Sequence, residues 1–262
     1  SEAEGQKEAT GIDDEGVETQ ARIPGTESKF PDRPISPTDK DLIQQKREGE
    51  LFQEKVSIAD KFREDLSAFE KGSLPAGALL SPGRTSKALR LSGAPDLVVV
   101  LDQEVLRKAK EKHDITLSEL DNLPESIENP IMVFNSKTQP NTLVILTDLK
   151  HRAGKNIVAA IKLEYKRGRF LFNDIRSVHG KETASQIASW MNDDLLRYYD
   201  KKKAQAWLVA QPALIAGSWP NLDSLKVYTN DDLSQEPTEL FQKFSEEKES
   251  TFAIEEAKLK AL

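Results

Sequence analysis

Histidine is the side chain best suited to moving protons near neutral pH, and this sequence holds three: His113, His151 and His179. No H-x-x-x-H or H-x-H pair occurs and there is no cysteine, so the sequence offers neither a zinc-ligand motif nor a thiol nucleophile. His113 ends a helical stretch that opens at Asp102. Helix-end carbonyls favour an imidazolium, which suits a general acid and suits a capping histidine equally well. Asp174-Ile175-Arg176-Ser177-Val178-His179 reads as a strand. Strict alternation puts Asp174, Arg176 and Val178 on one face and Ile175, Ser177 and His179 on the other. One face then offers a guanidinium to a phosphate, the other a hydroxyl and an imidazole. Arg197-Tyr198-Tyr199-Asp200-Lys201-Lys202-Lys203 sets aromatic rings beside cations, as a stacked base and its phosphate require, and as a solvated helix end also tolerates.

Together these residue types match metal-independent cleavage of RNA. That reaction needs a base for the 2′-hydroxyl proton, cations for the crowded phosphorane and an acid for the departing 5′ oxygen, and it leaves a 2′,3′-cyclic phosphate. His113 is the candidate acid or base, Arg176 and Lys203 the phosphate holders. Ser177 would bind the phosphate or position the 2′-hydroxyl, and Tyr198 would stack or donate a hydrogen bond, with Lys201 nearby. The chain carries a net charge of −7, which argues against a protein that coats nucleic acid along its whole length. Lys150 to Lys181 nevertheless holds nine Lys or Arg against two acids, Glu164 and Asp174, a local +7. Within it Lys166, Arg167 and Arg169 crowd a tight turn, either as a solvated hairpin face or as an electrostatic footprint for phosphates.

The elements that must position these residues follow from periodicity. Charged residues make up 31% of the chain and apolar ones 37%, a balance that predicts a folded centre with polar ends. Residues 1–38 read as a disordered polar segment, and the acidic Ser1 to Thr10 is not expected to serve as a signal peptide. Residues 39–84 read as a helical extension and linker, residues 85–210 as the ordered domain, and residues 211–262 as an irregular, then charged and helical, tail. Inside the ordered part, Asp96 to Leu101 is a buried strand. Asp102 caps a helix through Lys112, and Thr116 with Glu119 forms a capping box for a second. Strands are expected at 131–134, 142–147, 157–165 and 170–178 with no crossover helix between them, followed by a helix from Thr183 to about Leu195. The fold class is α+β: two helices followed by a four-stranded antiparallel meander. No glycine-rich phosphate loop occurs, so no nucleotide cofactor, and no cofactor of any kind, is expected. No stretch is apolar for long enough to span a bilayer.

The ordered pieces also resemble a known family. Leu89-Arg90-Leu91-Ser92-Gly93-Ala94-Pro95-Asp96-Leu97, Val105-Leu106-Arg107-Lys108-Ala109, Lys112-His113 and Leu117 to Leu123 come first. Asn129-Pro130-Ile131-Met132-Val133-Phe134, Leu143 to Leu149, Ser177-Val178-His179-Gly180-Lys181 and Leu195-Leu196-Arg197-Tyr198 with Lys201 and Lys203 follow in order. In this run, about Phe62 to Leu208, the chain resembles the C-terminal domain of phage MuF-type head proteins, which is assigned to the barnase, EndoU, colicin tRNase and RelE-like nuclease superfamily. The resemblance implies a ribonuclease-like fold and a toxin or effector role in phages and mobile elements. It points to His113, Ser177, Tyr198, Lys201 and Lys203 as site residues. The implied partners are RNA, an immunity or antitoxin protein, and a phage head or larger polyprotein. The implied setting is a bacterial cytoplasm or a virion. The family pattern has tyrosine where this sequence has His179. A non-catalytic docking or structural module of a virion, built on the same fold, is the alternative.

Overall fold

The computed structural model describes residues 37–180, 184–211, 219 and 221–234. The segment 1–36, Thr183 and the tail from residue 235 lie outside the described residues. The chain divides into two units, residues 1–48 and 49–262. Of the first, the described part is the opening of helix α1 (Pro37–Glu70), where Gln44 donates a side-chain hydrogen bond to Glu48 one turn on.

The second unit is organised by one sheet. In chain order its strands are β1 (Leu79–Arg84), β2 (Val98–Asp102), β3 (Met132–Asn135), β4 (Thr142–Lys150), β5 (Asn156–Arg167), β6 (Phe170–His179), β7 (Leu196–Tyr199) and β8 (Tyr228–Thr229). The helices after α1 are α2 (Lys87–Leu91), α3 (Gln103–His113), α4 (Leu123–Glu128), α5 (Ala184–Asn192) and α6 (Lys201–Val209). Among the described residues no helix is long and apolar enough to cross a membrane.

The expected four-stranded antiparallel sheet is corrected by this architecture, which is α+β with an eight-stranded mixed sheet of order β1-β2-β6-β5-β4-β3-β7-β8. Strands β3 to β6 do pair antiparallel with their sequence neighbours. The additional strands come from long-range pairing. Val99, Val100 and Leu101 of β2 are buried, so β2 needs hydrogen-bonding partners on both edges. It takes β6 in parallel on one side and β1 antiparallel on the other. β1 carries Pro82 and Gly83 and so reads locally as a connector. Such residues are tolerated because β1 is an edge strand with a register shift, and Gly83 sits at φ +131°. β7, short and charged at its flank, pairs antiparallel with β3 and parallel with β8.

Two cores clothe the sheet. One face buries Phe62 and Leu66 of α1, Leu89 of α2, Leu106 and Ala109 of α3 and Leu123 of α4 against Val133, Ile145, Ile161 and Ile175. Residues 39–84, expected as extension and linker, thus supply Phe62, Leu66 and Leu80 to the interior. The other face packs Ile187 and Met191 of α5 and Trp207 of α6 on Met132, Phe134, Leu146 and Val158. This second core covers the β3–β7 half of the sheet.

Candidate active site

Helix α3 is tied to the sheet at both ends. Asp102, the last residue of β2, caps it by accepting the Glu104 N–H at 2.8 Å. Its far end closes at Asp114, which is left-handed (φ 56°) and returns its N–H to Ala109. Val105, Leu106 and Ala109 form the buried stripe, so the helix packs chiefly along β6. That orientation carries His113 to the end of β6, where its ring lies 5.6 Å from the His179 ring, centroid to centroid, and tilted by 50°. Both residues are half-buried.

The third histidine belongs to the same corner. In the β4–β5 turn, His151 Nδ1 accepts the Ala153 N–H at 3.0 Å, so the ring proton resides on Nε2 and is donated to the Asp114 carbonyl, also at 3.0 Å. Asp114 follows His113 directly. Gly180, which follows His179, lies so close that a Cβ added there would stand 2.8 Å from His151 Cβ. Three histidines far apart in sequence are gathered by α3, the β4–β5 turn and the end of β6. Arg152 reinforces the corner by pairing with the Asp114 carboxylate and donating its backbone N–H to Glu119 at 2.6 Å. Among the described residues no group of three or more His, Asp or Glu side chains is arranged to hold a metal ion.

Strict alternation along β6 is corrected by a β-bulge. Ile175 pairs with Ile161 and Ser177 with Ala160, so Arg176 has no partner on β5 and is the extra residue. Ile175 and Val178 therefore share the core that α1 to α4 cover, the helical-face core. Asp174, Ser177 and His179 fall on the opposite face, with the bulged Arg176 beside them. Of the five residues expected to act in catalysis, the fold brings His113 and His179 together as a pair, with Ser177 and Arg176 two and three residues back along β6.

Tyr198 is placed elsewhere. It lies on β7, four inter-strand spacings or roughly 19 Å from β6, and it is 1% exposed in the helical-face core. Burial, with Asp200 and Asp232 nearby, pushes its phenol far above the usual range. Lys203 donates to the Asp148 carboxylate at 2.9 Å and to the Asn129 carbonyl at 2.5 Å. Against the desolvation that would raise it, the Ser126 hydroxyl and Lys203 hold the Asp148 carboxyl below its usual value. Lys201 pairs with Asp231. This aromatic-basic string thus joins β7 and α6 to the body of the fold.

The basic hairpin also divides. Arg167 is only 24% exposed and donates to Asp174 at 2.7 Å and to Asp102 at 2.9 Å. Asp174 is fully buried; desolvation raises its pKa in spite of Arg167 and Arg176. Asp102 is held low, first by the Glu104 N–H and then by Arg167. Arg167 and Arg176 both lie over the Tyr165 ring, at 5.6 and 4.7 Å from its centroid. Lys166 and Arg169, in contrast, are exposed at the tip. Sequence reasoning gave no role to His151, Tyr165 or Phe170. The local signal for Phe170 was Phe172 two residues on, which puts both rings on one face of a strand.

The assembled class is therefore an α+β domain with a histidine-lined corner at the end of a central strand. Residues 104–206, from α3 into α6, match the family described as the phage MuF C-terminal domain. The match supports the phage MuF-type resemblance, and all three histidines lie inside it. No curated protein and no solved structure matches the chain.

Proposed function

We propose that this chain carries a metal-independent endoribonuclease domain of phage or mobile-element origin. The observation that carries it is the approach of His113 and His179 to 5.6 Å at the end of β6. Two imidazoles at one place supply both proton transfers of RNA transesterification. His179, on the strand face with Ser177, takes the proton of the 2′-hydroxyl as its oxygen attacks phosphorus. The phosphorane is held by the Ser177 hydroxyl, and by the Arg176 guanidinium once it turns from Tyr165 and Asp174 toward the histidines. His113, at a helix C-terminus that favours a positive charge, gives its proton to the 5′ oxygen as the P–O bond breaks. The products are a 2′,3′-cyclic phosphate and a free 5′-hydroxyl, and the proton gained by His179 balances the one lost by His113. An effector of this kind would act in a bacterial cytoplasm or travel in a virion as part of a larger polypeptide, and an immunity protein would cover the β6 corner.

The test is cleavage of ribosomal, transfer and messenger RNA by the purified chain in excess chelator, with the ends analysed. Cleavage is expected to persist and to leave cyclic phosphates. His113→Ala and His179→Ala should each slow it by roughly a hundredfold or more, and the His113→Ala melting transition should stay intact. Loss of folding in His113→Ala would make His113 a cap. A wild-type chain without RNase activity would favour a virion docking module, which the burial of Tyr198 and the ion pairs of Lys201 and Lys203 already suit.

A further inference from the structure

The histidine corner occupies one end of β6, and the other end runs out into the β5–β6 turn. Phe170 and Leu171 there are 57% and 48% exposed, although both are large and apolar. The Phe170 and Phe172 rings lie 6.4 Å apart, and Arg169 sits over the Phe170 ring at 5.2 Å. Cross-strand register places Tyr165 opposite Phe172 and Arg167 opposite Phe170. Counting back from the core residues Ile175 and Ile161, these four side chains share the face of Asp174, Ser177 and His179, away from the helical-face core. One side of the ribbon is therefore a row of rings and guanidiniums, Phe170, Phe172, Tyr165 and Arg176, leading to the imidazoles. The exposed charges of the hairpin are Lys166, Arg169 and Arg176 against Glu164 alone, a local excess of cations in a chain of net charge −7.

We infer that this face is a binding track for a single nucleic-acid strand, whose bases stack on Phe170 and its neighbours while Arg169 and Arg176 meet its phosphates. Stacking on exposed rings needs unpaired bases, and interleaved guanidiniums match a polyanion. Arg167 takes no part, because Asp102 and Asp174 already use it. From Phe170 to His179 the strand covers nine steps, roughly 30 Å, so the hairpin engages a strand well away from the point of cleavage. That the strand leads to a cleaved bond rests on the ribonuclease proposal. Binding at the hairpin does not.

The experiment is fluorescence anisotropy of a labelled 15-nucleotide RNA, single-stranded or in duplex, with the full-length His113→Ala chain so that the probe stays whole. Single strand should bind more tightly than duplex, and affinity should fall steeply with salt. Phe170→Ala should weaken single-strand binding roughly 5- to 150-fold, the range of one lost base stack. Phe170→Trp should retain the affinity, and Phe170→Leu should lose it as Ala does. Arg169→Ala should weaken binding and lower the salt slope. All these positions are exposed, and melting curves should confirm unchanged folding. Wild-type affinity in Phe170→Ala, a preference for duplex, or affinity flat in salt would overturn the track. Retained affinity in Phe170→Leu, or displacement of the RNA by polyglutamate at equal charge, would overturn it in favour of an acidic protein partner. In the catalytic chain, Phe170→Ala should slow cleavage of the 15-mer but leave a dinucleotide unaffected. Absence of cleavage with binding intact counts against the ribonuclease proposal alone, and cleavage with binding indifferent to Phe170 counts against the track alone.

Discussion

Replacing Arg167 by alanine should lower the stability of the fold. Asp174 is fully buried, and its Oδ2 accepts from Arg167 at 2.7 Å and from the half-exposed Arg176 at 3.5 Å. Its Oδ1 has no hydrogen-bond partner among the described residues. With charge centres about 4 Å apart and an effective dielectric constant near 20, the Arg167–Asp174 attraction is roughly 4 kcal/mol. Breaking a buried pair from one side costs about 3–5 kcal/mol, because the remaining charge stays desolvated. Arg176 compensates in part, which puts the expected loss near the lower end, about 3 kcal/mol. In urea denaturation at pH 7 this lowers the midpoint by roughly 1–3 M for a typical denaturant slope. The pH dependence has a definite sign. Burial already raises the Asp174 pKa in the folded state, and losing Arg167 raises it further above the unfolded value. The folded chain then takes up a proton that the unfolded chain does not, so the deficit shrinks as pH falls from 7 toward 5 and reopens as pH rises. Asp174→Asn in the same background should recover much of the loss. A deficit below about 0.5 kcal/mol, the scale of an ordinary surface change, or one identical at pH 7 and pH 5, would refute Arg167 as the counter-ion of a buried carboxylate.

Two further outcomes test the placement of other residues. Tyr198→Ala should cost about 3–5 kcal/mol, as for other large buried aromatics, while Tyr198→Phe should leave RNA cleavage unchanged. A rate loss in Tyr198→Phe with stability intact would return Tyr198 to the site. Gly180→Ala should cost about 1–3 kcal/mol by overpacking against His151, and His151→Ala should relieve much of that penalty in a double-mutant cycle; simple additivity would show that the two residues do not press on one another.

Much of the local structure was legible because it is decided locally. The alternating and β-branched runs located β3 to β6 to within a few residues, and Asp102 was readable as the cap of α3 from its position before a helical stripe. His113 at a helix end and the Lys166–Arg169 turn were visible for the same reason. The sequence also contained the three histidines of the corner at the end of β6. It did not say that they meet, since His113, His151 and His179 have no regular spacing to connect them.

What the sequence alone determined about this protein is its α+β class, its cysteine-free set of side chains, and the hairpin that carries its basic charge. The tertiary structure decided which of those groups are available. One unpaired residue at Arg176 re-phases β6, and no local periodicity encodes it, because a bulge is a property of two paired strands. Pairing of β7 with β3 sends Tyr198 into the core, and two expected phosphate ligands are paired with carboxylates instead, Lys203 with Asp148 and Arg167 with Asp174. Burial and ion pairing depend on neighbours brought from tens of residues away, so a charge run in the sequence specifies how many cations there are, and only the packed fold specifies which remain free to bind.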